Sequence, residues 1–163
     1  MQQRSEILRA HNPSELAIVA IVLVTLTIGL VVVVASLPWW VDGTFAYPLG
    51  NPFCQEQVCG DYTDSASLRN VFPPTYNLVL VALVSSVFEL LFLVSSVLGT
   101  GGRLGILVAG PLGSITLLVA PIYFYFAMPV GFSGGPGPGW FMAFVALVFF
   151  LAATAVAFVV ARV

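Results

Sequence analysis

The sequence predicts an all-α membrane protein, a bundle of four transmembrane helices with one sizeable polar loop outside the bilayer. Three observations predict it. Hydrophobic residues make up 60% of the 163-residue chain and charged residues 7%, whereas soluble domains are about a quarter charged. Four apolar stretches, at about residues 13–37, 76–98, 104–128 and 140–161, each reach the roughly 20 residues that cross a bilayer. Between the first two lies the only long segment that cannot be buried in lipid, residues 38–75, which holds both cysteines. A second, shorter outer loop covers residues 129–139, and one domain accounts for residues 1–163.

Composition also excludes some functions. All five basic residues are arginine and the net charge is −2, so no basic cluster offers a face to nucleic acid or phosphate. No catalytic, cofactor or metal-binding motif stands out. The expectation is a protein that is not an enzyme and holds neither cofactor nor metal.

The first helix is expected to be retained rather than cleaved. Residues 1–11 are mixed in charge, and the apolar run over residues 16–37 is longer than the roughly 7–15 residues of a signal peptide. Asn12, Pro13 and Glu15 predict its start: Asn12 as cap, Pro13 where no N–H is needed, Glu15 reaching back to the cap. Valine and isoleucine are ordinary helix residues in lipid, where backbone polar groups must pair within the segment. Pro38 ends the helix. Trp39 and Trp40 are then expected in the interfacial belt, facing both tails and water, with a recognition role as the alternative.

The first outer loop is punctuated by Asp42-Gly43, Pro48, Gly50-Asn51-Pro52, Gly60-Asp61 and Pro73-Pro74, and the short runs between them suit small strands closed by turns. Cys54 and Cys59 enclose four residues. A metal site would need two further soft ligands, and the lone His11 lies on the other side of the first helix. A redox pair is more usually C-x-x-C at a helix start. A structural disulfide needs only an oxidising compartment and is the favoured expectation. Closing so short a ring is worth about 2 kcal/mol, enough to hold a loop shape but not to fold a domain.

The second helix carries Glu89 near its midpoint. Ala82, Ser86, Glu89, Leu93 and Ser96 recur at three- and four-residue steps, so one small-and-polar stripe faces one way. A carboxyl group near the bilayer centre costs about 3 kcal/mol and is expected to face the bundle interior. No basic residue lies at matching depth, so Glu89 is expected to hydrogen-bond to a neighbouring helix. The candidate acceptors are Thr25 or Thr27, Ser114 or Thr116, and Thr154. Glu89, Ser86, Thr27, Ser114 and Thr154 therefore form a candidate intramembrane polar site, read either as interhelical glue or as a proton- or cation-coupling carboxylate.

Residues 99–103 make a short return, so the second and third helices are antiparallel neighbours. Gly105, Ala109, Gly113 and Ser114 offer the third helix close approach, with kinks expected at Pro111 and Pro121. Residues 123–126 predict an aromatic belt on the side of Trp39 and Trp40. The second outer loop is nearly all Gly, Pro and Ser, a flexible connection whose only large side chain is Phe132. The fourth helix is apolar apart from Thr154. With Val163 last, no scaffold-binding tail is expected. Trp39, Trp40, Tyr62 and Phe132 are the candidate contact residues of the outer face.

Orientation follows from the arginines. Arg4, Arg9, Arg103 and Arg162 fall on one side and Arg69 on the other, which predicts cytoplasmic termini and places Cys54 and Cys59 on the outer face. That compartment is oxidising.

The layout resembles the claudin and peripheral-myelin-protein-like tetraspans. Leu37-Pro38-Trp39-Trp40 is similar to that superfamily's Leu-Pro-x-Trp. Cys59-Gly60-Asp61-Tyr62-Thr63-Asp64-Ser65, followed by Leu68 and Pro73, looks like the claudin run after its second cysteine. The glycine-spaced helix from Arg103 to Tyr125 is a less specific likeness. Departures are plain: Asn51-Pro52-Phe53 stands where claudins have Gly-Leu-Trp, the cysteine spacing is shorter, and Glu89 is outside the pattern. The resemblance implies a distant relative, a prokaryotic one included, with a left-handed four-helix bundle under a small β-rich outer cap. Barrier or paracellular-channel function does not carry over, because the first-loop residues it depends on do not match.

Two functions follow as expectations. The first is a non-catalytic protein that packs laterally in the lipid bilayer, as a homo-oligomer or as an accessory subunit of a larger membrane complex, with outer-loop protein–protein contacts. The alternative is a small proton- or cation-coupled transporter or channel using Glu89.

Overall fold

The computed structural model describes residues 13–42, 45–49, 53–55, 58–60, 66–131 and 133–162. The Asn12 cap, Tyr62 and Phe132 lie outside the described residues. Four long helices form the bundle: α1 (Pro13–Ser36), α3 (Phe72–Val97), α4 (Arg103–Ala127) and α5 (Pro138–Arg162), with a single-turn helix α2 (Ala66–Arg69) leading into α3. Each long helix contains a segment long and apolar enough to span a membrane: Glu15–Ser36, Phe72–Val97, Arg103–Ala127 and Pro138–Val160. The protein is thus an integral membrane protein with four candidate spans.

Helix α1 packs against α3 and α5, and α4 packs against the same two, closing a square. The buried positions explain the closure. On α1 they are Ala17, Ala20, Val24, Thr27, Val31 and Val34, and on α5 Ala143, Ala146, Phe150, Ala153 and Ala157. Steps alternating between three and four residues keep one seam facing inward along a whole helix. The same alternation runs through Thr75, Val79, Ala82, Ser86, Glu89 and Leu93 on α3.

The second span begins at Phe72, four residues before the expected Tyr76, and takes in Pro73 and Pro74. A proline in the first turn loses nothing, because the N–H groups there have no intrahelical partner. At the other end of α3, Gly99 sits at φ 74°. The Gly99 amide donates to the Ser96 carbonyl (3.1 Å) and the Thr100 amide to that of Ser95 (3.0 Å). This pair of bonds is a Schellman ending, which turns the chain directly into α4.

The cap over one end of the bundle is a three-stranded antiparallel sheet in the order β2–β1–β5, from β1 (Pro38–Asp42), β2 (Phe45–Pro48) and β5 (Gly135–Pro136), with a separate hairpin of β3 (Phe53–Gln55) and β4 (Val58–Gly60). The second outer loop is therefore not a free connection. Its strand β5 pairs Pro136 with Trp40 and Gly135 with Val41, and the Gly137 amide donates to the Trp39 carbonyl at 2.8 Å. Glycine makes this possible. A Cβ on Gly134 would stand 2.2 Å from the Val41 carbonyl oxygen, and one on Gly137 2.6 Å from that of Pro38.

Trp39 and Trp40 do not form a lipid-facing belt. They are 0% and 7% exposed and belong to the core where cap meets bundle. Their indole N–H groups donate to protein, Trp39 to the Val34 carbonyl (2.8 Å) and Trp40 to the Ser133 carbonyl (2.7 Å), so neither ring needs water. Phe124 meets Trp39 edge-on at 5.3 Å and Phe72 at 5.1 Å. The outward aromatics at this level are Tyr123, Tyr125 and Phe126, as expected of a belt on α4.

Two outcomes are expected. Trp39→Ala should cost about 3–5 kcal/mol, read as a lowered unfolding temperature in detergent. The second concerns pH. Burial and the nearby Asp42 carboxylate hold the Tyr47 phenol above its ordinary 10.0. The folded cap favours the neutral phenol, so this contribution is complete below pH 10.0 and is lost as pH rises through the folded-state value. Tyr47→Phe should flatten the alkaline change in tryptophan fluorescence that the parent protein shows.

Candidate functional site

Two apolar clusters fill the bundle. One, toward the cap, includes Val31, Val34, Val79, Ala82, Leu117, Ala120, Ala146 and Phe150. The other, toward the far end, is Ala20, Val24, Leu93, Ile106, Ala153 and Ala157. At or beside the boundary of these sets every helix carries a small or polar residue: Thr27 on α1, Ser86 and Glu89 on α3, Gly110, Gly113 and Ser114 on α4, and Thr154, next to Ala153, on α5. A polar waist thus crosses the bundle at mid-height, where the sequence places its intramembrane site.

Most hydroxyls at the waist are already satisfied. Thr27 donates to the Leu23 carbonyl (2.9 Å), Ser86 to Leu83 (2.8 Å), Ser114 to Gly110 (2.9 Å) and Thr116 to Leu112 and Gly113 (3.0 Å each). Each bonds back to its own helix, the cheapest way to bury a hydroxyl in lipid. Thr25, the other candidate acceptor on α1, is exposed and does the same to Ile21. The bonds that these four residues and Ser86 make stay within their own helices, and none reaches Glu89.

Thr154 is different. Glu89 is 1% exposed. Among the described residues, its Oε1 and the Thr154 Oγ1 are the buried side-chain polar atoms with no hydrogen-bond partner. They converge on one spot. A Cβ on Gly110 would lie 2.3 Å from Thr154 Cγ2, 2.8 Å from Thr154 Oγ1 and 3.2 Å from Glu89 Oε1. The two side chains approach closely enough to influence each other but complete no hydrogen bond of ordinary geometry. Leaving such atoms unpaired costs about 1–3 kcal/mol each.

Gly110 creates this meeting. Helices α3 and α5 stand diagonally in the square, with α4 adjoining both. A missing side chain on α4 lets Glu89 from one and Thr154 from the other reach the same point. Gly105 and Gly113 act likewise on either side, the first seating the Phe92 ring of α3 and the second the Phe150 ring of α5. Sequence reasoning singled out Gly105 and Gly113 but passed over Gly110. Its signal was available in the Gly110-Pro111 step, which stands at the depth of Glu89 in an antiparallel pair.

Between α4 and α5 the outer surface has a groove of about 440 Å³, lined by Ile106, Pro111, Ser114, Leu151, Thr154 and Ala155 among others. A larger groove of about 660 Å³ separates α3 from α4, bordered by Val84, Phe88, Leu104, Gly105, Val108 and Leu112. Among the described residues no group of three or more His, Cys, Asp or Glu stands together to hold a metal. In the cap, Ser133 donates to the Asp42 carboxylate, joining the two outer loops. No family model matches the chain, and no curated protein sequence matches it.

Gly110→Ala is expected to destabilise the bundle by about 1–3 kcal/mol through overpacking, seen as a lowered unfolding temperature in detergent. Adding Thr154→Ser, which deletes the colliding methyl group, should restore most of the loss. Absence of any recovery would show that Thr154 is not the obstacle.

Proposed function

We propose that the protein is a non-catalytic membrane component that acts by lateral packing in the bilayer and through contacts of its outer cap, as a homo-oligomer or as an accessory subunit of a larger assembly. One observation carries this proposal: the apolar groove between α3 and α4, with Val81, Val84 and Val108 exposed around it. Lipid supplies no hydrophobic drive for helices to associate, so close packing at small residues does it instead. A groove of this kind accepts a helix of a neighbouring subunit. Kinship with the claudin and peripheral-myelin-protein-like tetraspans belongs to the same proposal. It is supported by four spans carrying a small antiparallel sheet after the first helix, although fold alone does not assign function.

In this orientation both termini are cytoplasmic and the cap is extracellular, and Cys54 and Cys59 form a disulfide. The strand register supports the bridge, since Cys54 stands opposite Cys59. Opposed residues in an antiparallel pair have Cα atoms about 4.5 or 5.5 Å apart, inside the roughly 4.4–6.8 Å that a disulfide spans.

A second function, a small proton- or cation-coupled transporter or channel, is favoured by the unpartnered carboxyl oxygen of Glu89. The two are separated by experiment. Purified from native membranes in mild detergent, the protein should elute within a complex or as an oligomer, and Val84→Trp should release it as a smaller species. Elution of the parent chain alone would overturn the packing role. If Glu89→Gln abolishes an ion flux that the parent supports in proteoliposomes, the transporter function takes its place.

A further inference from the structure

We propose that the groove between α4 and α5 is a lateral ligand site, open to the bilayer, for a neutral lipid-soluble molecule with an apolar body and one hydrogen-bond-accepting group, which lodges against Thr154 with Glu89 behind it. Three observations combine. The groove, about 440 Å³, lies in the size range of small-molecule pockets, which are mostly apolar with a few convergent polar groups. Its polar wall residues are Ser114 and Thr154. Ser114 spends its proton on the Gly110 carbonyl, whereas the Thr154 hydroxyl has no partner. The third is Glu89, 99% buried by its 1% exposure, whose unpartnered Oε1 meets Thr154 over Gly110.

These features select the chemistry of the occupant. No charged side chain lines the groove, so an ion is not favoured over a neutral molecule. The walls are Leu, Ile, Ala, Pro and Phe, which suit a hydrocarbon or ring body. The groove runs from Ile106, near the start of α4, to Ile115, and Thr154 stands in its wall at the depth of the polar waist. What is wanted there is one acceptor for a hydroxyl proton. Threonine in a helix populates two rotamers, and one such step turns the Thr154 hydroxyl from Glu89 toward the groove. The Thr154 hydroxyl would then be satisfied by the ligand, which recovers the cost of burying it unpaired.

Dicyclohexylcarbodiimide tests this directly, being neutral, apolar and equipped with acceptor nitrogens. With a neutral carboxyl group, the proton passes to one nitrogen and the carboxyl oxygen bonds the central carbon. The O-acylisourea then rearranges to a stable N-acylurea, with every atom of the probe retained. The expected result on the folded protein in membranes is one added probe mass on the peptide containing Glu89, absent in Glu89→Gln. Ala155→Phe and Leu151→Trp, which fill the groove from exposed positions, should each slow labelling about tenfold. Val32→Trp, exposed on α1 and in neither groove, should leave the rate unchanged. Unfolding temperatures equal to the parent's would show that the filling variants are intact. No label on Glu89 would overturn the proposal. So would labelling indifferent to both filling variants, or slowed as much by Val32→Trp.

Discussion

A polar group inside a bilayer has no water to turn to, and that constraint organises this molecule. Thr27, Ser86, Ser114 and Thr116 answer it locally, each bonding to a carbonyl of its own helix. Such bonds ask nothing of neighbouring helices, so the helices remain free to pack by shape. Packing then falls to the small residues of α4, where Gly105, Gly110 and Gly113 receive side chains from α3 and α5. Glu89 and Thr154 are the exception, and they meet where the glycines bring three helices closest.

The cap obeys the same constraint from the other side. Its sheet is too small to stand alone, since a few short strands bury little apolar surface. It is stabilised by the bundle instead. Trp39 leaves α1 and drops into a cluster with Phe124 and Phe72, while β5 and the Ser133–Asp42 bond draw the second loop onto the first. Cap and bundle share one core, so a change at Trp39 is felt in both.

Much of this was readable from residues alone. Length and apolarity locate the four spans, because lipid leaves so few alternatives, and the three-to-four spacing around Glu89 gives its inward face. What escaped depended on tertiary context. Trp39 and Trp40 look like belt residues from their place at a helix end, and only the fold of the loop over them makes them core. Residues 130–139 look flexible because glycine permits so much, yet it also allows the close approach by which β5 docks. Pro73 and Pro74 read as helix-breakers unless the first turn is known to begin at Phe72. In the waist, five candidate partners for Glu89 looked equivalent by depth. Only side-chain geometry shows that four of them bond within their own helices and that Thr154 is the one that meets Glu89.

The Schellman ending at Gly99 decides which helix lies nearest in the chain to Glu89. By reversing the chain within five residues, it brings α4 straight back along α3 as an antiparallel neighbour. A lone helix carrying Glu89 would face lipid with its carboxyl group bare, at a cost of about 3 kcal/mol. Paired with α4, it presents that group to the notch at Gly110 instead, so the acid is sheltered by the helix joined to it through the shortest link of the bundle.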